Sequence, residues 1–217
     1  MAERTRGTIR AWFGQPPRVE APVVAGYTQL THERADMVQL SVVGVVLLPL
    51  WWFIFAGLAQ IISGVNGFTV HIGLVELLGG VLVALLGVPL LHEIAHGLTA
   101  RLLGARPSYG VGPGYAYTTF LEPMGRYRYL AVGLAPLVGI SLLGMLLIWF
   151  APDTRGWVVF ACVVNAAGAI GDMWMVYRIL RLPRRAIFFD LADGFAAFVP
   201  DTNPSRPPAG SSAPPAG

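Results

Sequence analysis

The sequence has few charged residues and a single cysteine. Only 12% of its 217 residues are Asp, Glu, Lys or Arg, about half of the share in an average soluble domain. Cys162 has no second cysteine to pair with, which excludes a disulfide within the chain. The net charge of +3 is small, and the arginines of the chain flank apolar segments. The charge therefore does not indicate a nucleic-acid partner. What is present is a strongly apolar chain, with a mean hydropathy of +0.61.

Long stretches almost free of charge dominate this apolar chain. About 20 apolar residues in a helix cross the ~30 Å hydrocarbon core of a bilayer. Four stretches reach that length, at residues 37–62, 68–103, 129–151 and 157–180. Pro89 lies within the second stretch and predicts a bend there, because proline removes a helical hydrogen bond. The sequence therefore predicts an all-α polytopic membrane protein with four transmembrane helices.

The arginines predict the orientation of these helices. They cluster before the first stretch, on both sides of the connection between the second and third, and after the fourth. Segments rich in Lys and Arg stay on the cytoplasmic side of a membrane. We therefore expect an integral membrane protein in contact with the lipid bilayer, with both termini and the 104–128 loop in the cytoplasm.

The composition also divides the chain into segments. Residues 1–36 form a predicted cytoplasmic N-terminal segment, and residues 37–185 form the four-helix membrane domain. In residues 105–125, Tyr and Thr alternate with Gly, which predicts a short cytoplasmic β-hairpin-like loop. A second short hairpin is predicted at 186–199, and the Pro, Ser, Gly and Ala of 200–217 predict a disordered tail.

The pentapeptide from His92 to His96 carries the clearest chemical signal. Residues four apart share one face of a helix, so both imidazoles can bind one metal ion. Glu93 is turned by about 100° from His92 and about 60° from His96, where a general base beside the metal must stand. A chance pentapeptide or a polar seam between helices is the alternative. Ionisable groups inside a membrane span are costly unless they are partnered or functional, which favours the metal site.

A catalytic zinc site requires a third protein ligand. Asp172 is the best candidate, because it lies about 12 Å from the cytoplasmic end of its helix and His96 lies about 10 Å from the end of its own. His32 and His71 are predicted near the ends of the apolar stretches and are poorly placed. Glu122 is the next residue to consider if Asp172 is not a ligand.

Asn165 faces nearly the same way as Asp172, seven residues later in the sequence. Its amide is a candidate for binding a substrate backbone or a developing oxyanion. A hydrogen bond between helices explains the residue equally well, and the sequence leaves both interpretations open.

These residues resemble the site-2 protease superfamily of intramembrane zinc peptidases, and within it a branch of small bacterial zincin peptidases. The resemblance extends over residues 85–182 and is carried by His92-Glu-Ile-Ala-His96 and Asn165-Ala-Ala-Gly-Ala-Ile-Gly-Asp172. It implies a bacterial plasma-membrane location and a three-helix catalytic core at about 68–182. Better-known members end their second motif in Leu-Asp-Gly, whereas this chain has Gly-Asp-Met, with Asn and Asp one residue closer together.

The resemblance implies a role for each residue of the site. His92, His96 and Asp172 bind Zn²⁺, Glu93 is the catalytic acid and base, and residues 105–125 receive an extended substrate. Within that region we expect Tyr117 and Thr119 to contribute backbone contacts to substrate.

The sequence thus predicts a zinc-dependent endopeptidase that cleaves membrane-embedded protein substrates. A non-catalytic membrane scaffold with a structural metal is one alternative, although ligation alone does not require Glu93. A small metal or proton transporter is the other, although the chain has no internal repeat of the kind from which transporters are often built.

Overall fold

The structure is a computed structural model that describes residues 23–67, 73–112, 115–191 and 194–201. His71, Gly114 and residues 202–217 of the predicted disordered tail lie outside these ranges, as do residues 1–22.

Groups of helices and groups of strands follow one another along the described residues. The helices are α1 (Met37–Val46), α2 (Leu48–Ser63), α3 (Leu74–Leu82), α4 (Val88–Leu102), α5 (Arg126–Phe150), α6 (Arg155–Gly168) and α7 (Ile170–Leu180). The strands are β1 (Tyr27–Arg34), β2 (Ser108–Gly112), β3 (Tyr115–Thr119), β4 (Met124–Gly125), β5 (Ile187–Leu191) and β6 (Gly194–Pro200).

Two helical segments are each long and apolar enough to cross a membrane. The first runs from Leu74 to Leu102 over 29 residues, and the second is α5 with 25 residues. The first keeps α3 and α4 together through a π-helical segment, Val83–Gly87. This π-helical segment ends just before α4, whose first turn contains Pro89. The bend at Pro89 stays a prediction.

The prediction of an all-α protein with four transmembrane helices is wrong. The described residues contain two β-sheets, and the first and fourth predicted spans are each broken in two. Helices α1 and α2 meet at 49°, and α6 and α7 meet at 48°. The described residues therefore contain two candidate spans, or up to four if each bent pair counts as one. Pro49 in the first turn of α2 and Gly168 at the end of α6 account for the breaks, because both residues disfavour a continuous helix.

A four-stranded antiparallel sheet adjoins the helices, with the strand order β1-β6-β5-β4. The predicted hairpin at 186–199 is confirmed as β5 and β6. Strand β1 pairs with β6 along most of its length, from Tyr27 opposite Pro200 to Arg34 opposite Gly194. Gly194 is required there, because a Cβ atom would overlap the carbonyl oxygen of Glu33.

The second sheet is the two-stranded antiparallel hairpin of β2 and β3. It confirms the predicted hairpin-like loop, and it packs against α4. A Cβ atom on Gly97 of α4 would overlap the ring of Tyr109 on β2, so this glycine allows the close approach of hairpin and helix.

Helix α5 lies at the centre of the helical part, where it packs against α2, α4, α6 and α7. One buried cluster joins it to α2 and α6, with Ile148 and Cys162 at its middle. Another joins its first turn to the four-stranded sheet, where Tyr129 stacks on Phe188. The position of α5 therefore fixes the positions of the helices that bear the polar residues.

Candidate metal centre

Two helices bring three ligand-type side chains together. His92 and His96 lie on one face of α4, with ring centroids 4.9 Å apart. Asp172 lies in the first turn of α7, just after the break between α6 and α7. Its carboxylate oxygens are 3.0 Å from Nε2 of His92 and 3.3 Å from Nε2 of His96. The three ligand atoms all lie within 4.8 Å of one another.

This arrangement fits zinc. Zinc binds nitrogen and oxygen ligands at about 2.0–2.2 Å with tetrahedral geometry, so neighbouring ligand atoms stand about 3.3 Å apart. The distances from Asp172 to the two imidazoles are close to that value. Two nitrogens and one carboxylate leave a fourth position for water or substrate, as in catalytic zinc sites. The side chains of all three residues are 12–13% exposed, which keeps the centre largely apart from solvent.

The outer nitrogen of each imidazole has a hydrogen-bond acceptor. Nδ1 of His92 lies 2.9 Å from Oδ1 of Asn165, and Nδ1 of His96 lies 2.9 Å from the carbonyl oxygen of Val132. A carbonyl oxygen only accepts, so each Nδ1 carries the proton and donates it. In the neutral imidazole with its proton on Nδ1, the lone pair is on Nε2, which is the atom that faces Asp172 and is available to a metal.

Asn165 is one of these two acceptors. It is buried on α6, and its Nδ2 donates to the carbonyl oxygen of Pro136 over 3.1 Å. That bond orients the amide so that Oδ1 faces His92. Of the two interpretations left open by the sequence, the hydrogen bond between helices is the one the structure describes, and one of its partners is a ligand-type histidine.

Glu93 lies between the two histidines on α4 and is partly buried. Its backbone carbonyl accepts a hydrogen bond of 2.9 Å from Oγ1 of Thr118 on β3. Strand β3 therefore lies directly beside the motif. Tyr117 packs its ring over Gly110 across the hairpin, and Thr119 bonds through its side chain to Asp190.

The other candidate ligands lie elsewhere. Glu122 accepts from the backbone N–H of Arg106 at the base of the hairpin, over 3.1 Å. His32 is on β1, where its Nε2 lies 3.4 Å from Nε of Arg34. Among the described residues, the group able to hold a metal ion consists of His92, His96 and Asp172.

A buried carboxylate that the sequence analysis missed lies between the two sheets. Asp190 on β5 accepts from the hydroxyl of Tyr129 over 2.9 Å and from the backbone N–H of Phe120 over 3.4 Å. Burial raises the pKa of Asp190 to about 7, against the opposing effect of hydrogen bonds from Thr119, Tyr129 and Phe120. In the sequence it stands beside a turn, and no local pattern distinguishes it from a solvated aspartate.

Comparison with known proteins agrees with this geometry. Residues 85–187 match the model of a family described as "Putative zincin peptidase". The match covers the histidine motif, Asn165 and Asp172, and it indicates a zincin-like metallopeptidase.

A second comparison finds a relative in Pyrococcus woesei, described as "Uncharacterized 24.7 kDa protein in gap 5'region". It is 29% identical over 122 residues, which cover 53% of this chain and 53% of the relative. The chain thus spans about half the length of the curated relative it matches. No solved structure matches the chain.

Proposed function

We propose that this protein is a zinc-dependent endopeptidase of the site-2 protease type, which hydrolyses peptide bonds of membrane-embedded protein segments. The observation that carries the proposal is the convergence of His92, His96 and Asp172 with both Nδ1 atoms already engaged by acceptors. This leaves both Nε2 lone pairs for the metal. Glu93 follows His92 on the same helix, which supports its proposed role as the acid and base.

The chain's own residues divide the work of peptide hydrolysis. Zinc, when bound, supplies a Lewis acid that polarises the scissile carbonyl and makes water more acidic. Glu93 accepts a proton from the attacking water and later passes it to the leaving amine. Thr118 holds the backbone of Glu93 from the side of β3, and Asn165 and Val132 keep the two imidazoles in the productive orientation.

The surroundings of the centre favour a substrate that lies in the membrane. The histidines belong to the apolar segment from Leu74 to Leu102, and His96 stands about 9 Å from the end of α4 at Leu102. A peptide in bulk water does not reach that depth. The clustering of arginine near this end of α4 and before the first apolar stretch supports a cytoplasmic location for this end of α4 and for both termini.

Strand β3 is the proposed docking element. A peptide bond within a helix is shielded by its own hydrogen bonds, so a transmembrane substrate must unwind before it is cleaved. The extended form is stabilised when its backbone pairs with a strand edge. The β2–β3 hairpin packs on α4 beside Glu93, which is where such pairing presents a substrate bond to the centre.

The test compares wild type with Glu93→Gln, purified in detergent and supplied with a transmembrane substrate peptide. We expect Glu93→Gln to retain zinc and lose at least about 100-fold in cleavage rate, because general acid–base catalysis contributes roughly 10²–10⁴. Zinc-bound wild type without any proteolysis would support the scaffold function instead. Equal cleavage by both proteins would reject the role of Glu93.

A further inference from the structure

Helix α5 contains a proline one turn beyond the residue whose carbonyl faces His96. Pro136 lies inside α5 and is fully buried. In a regular α-helix the N–H of residue 136 would donate to the carbonyl of residue 132. Proline has no N–H, so the carbonyl of Val132 lacks the donor that a regular α-helix would give it from position 136. That same carbonyl accepts from Nδ1 of His96 over 2.9 Å.

The carbonyl of Pro136 serves the other histidine. It accepts from Nδ2 of Asn165 over 3.1 Å, and Oδ1 of Asn165 lies 2.9 Å from Nδ1 of His92. A carbonyl oxygen has two lone pairs and can accept this bond in addition to one within the helix. One turn of α5 therefore supports both ligand-type imidazoles. The carbonyl of Val132 accepts from His96 directly, and the carbonyl of Pro136 orients Asn165, which accepts from His92.

We infer that Pro136 is a positioning residue of the metal centre, whose missing N–H reserves the Val132 carbonyl for His96. The inference rests on the proposed function only in taking His96 as a zinc ligand. A backbone N–H at position 136 would compete with Nδ1–H of His96 for that carbonyl. Without its acceptor the imidazole is free to rotate or to carry its proton on Nε2, the atom that must be unprotonated to bind zinc. Loss of such a supporting bond typically lowers metal affinity about 10–100-fold.

A purely structural role makes a different prediction. Proline also disfavours a straight helix and fills space with its ring, and both effects shape the packing of α5. The test must therefore separate the missing N–H from the ring. Two replacements do so: Pro136→Ala, and the α-hydroxy analogue of alanine at position 136, which places a backbone ester there. Both lack the ring, but only alanine restores the N–H.

Zinc affinity of the two variants is measured by competition with a chromophoric chelator in detergent. We expect Pro136→Ala to bind zinc about 10–100-fold more weakly than wild type, and the ester variant to stay within about threefold of wild type. Equal weakening of both variants would assign the effect to the ring and overturn the inference. Unchanged affinity in Pro136→Ala would overturn it as well.

A measurement on zinc-loaded wild type needs no variant to fold. Imidazole ¹⁵N NMR should show His96 bound to zinc through Nε2, with its proton on Nδ1. Zinc bound through Nδ1, with the proton on Nε2, would contradict the inference. Failure of the inference can be told apart from failure of the proposed function. Failure of the proposed function appears as wild-type protein that binds zinc without cleaving peptides. The affinity comparison and the NMR experiment do not use proteolysis.

Discussion

At the scale of single residues, the candidate centre combines one anionic and two neutral ligand-type side chains with neutral hydrogen-bond acceptors. Asp172 is the anionic member of the group, and the two imidazoles donate to an amide oxygen and to a backbone carbonyl. Neutral acceptors fix ring orientation without adding charge, which suits a site inside an apolar segment, where each further charge is costly. The net charge of a zinc complex with these three ligands is +1, before water or substrate binds.

We expect zinc binding to depend on Asp172. Asp172→Ala removes one of three ligands and leaves the two histidines facing an open side, so affinity should fall by at least about 100-fold. Glu122→Ala is the matched control, since this carboxylate is engaged with Arg106 at the hairpin. Metal analysis of both purified variants decides the matter. Full zinc content in Asp172→Ala, with loss in Glu122→Ala, would identify Glu122 as the third ligand.

The sequence predicted the residues of the centre better than their supports. The His92–His96 spacing is local, and a helix of fixed period places both rings on one face whatever the rest of the fold. Asp172 followed from its depth in an apolar stretch. The acceptor for His96 is a main-chain atom of Val132, exposed by a proline four residues later. No side-chain pattern encodes such a contact, because it depends on which two helices touch.

At the scale of elements, the β2–β3 hairpin is the element that we propose as the docking site for substrate. Proline at Tyr117 or at Thr119 removes one backbone donor from β3. We expect either change to lower cleavage of a transmembrane substrate by about tenfold or more while zinc content stays at the wild-type level. Unchanged cleavage by both proline variants would exclude docking along β3, and it would leave the zinc assignment intact.

Asp190 connects the two sheets through a carboxyl whose pKa is raised to about 7. The unfolded chain loses this proton near pH 4, so between about pH 4 and pH 7 the folded state holds a proton that the unfolded state lacks. The contribution of Asp190 to the free energy of unfolding is therefore fully present below about pH 4, and it is lost as the pH rises to about 7.

The corresponding prediction concerns thermal unfolding of the zinc-free protein. Between pH 5 and pH 8 the midpoint of wild type should fall by at least about 3 °C more than that of Asp190→Asn, which has no proton to lose. The comparison between the two proteins cancels the titration of the histidines, which both contain. Parallel pH profiles would show that Asp190 titrates alike in both states.

The breaks and the sheet pairing were beyond local sequence reasoning. Hydropathy counts apolar residues, and it does not register that Pro49 lacks a helical donor or that Gly168 has a low helix propensity. Strand β1 forms by pairing with β6, which lies more than 150 residues later in the chain. In contrast, both hairpins were predicted correctly, because their strands are neighbours in sequence and their turns have recognisable composition.

At the scale of the whole molecule, α5 provides the clearest test of orientation. It is an unbroken apolar helix of 25 residues, with arginines at its first end and few charges beyond its last. We expect a reporter inserted at Tyr115 to be cytoplasmic and one at Asp153 to be on the opposite side. Reporters at Gly67 and Pro200 then show whether each bent pair crosses the bilayer. An external signal from Tyr115 would reverse the proposed orientation.

The division of the ligands between α4 and α7 has a consequence for the integrity of the bundle. Helix α4 packs mainly on α5, and α7 packs mainly on α5 and α1, while the three ligands belong to α4 and α7. A metal ion that bridges them acts as a reversible cross-link between segments 80 residues apart in sequence. Its contribution to folding follows mass action, at about 2.7 kcal/mol when free zinc is 100 times its dissociation constant. On the proposed function, the stability of the folded protein is thereby coupled to metal supply, and we expect a shortage of zinc to lower its abundance as well as its proteolytic activity.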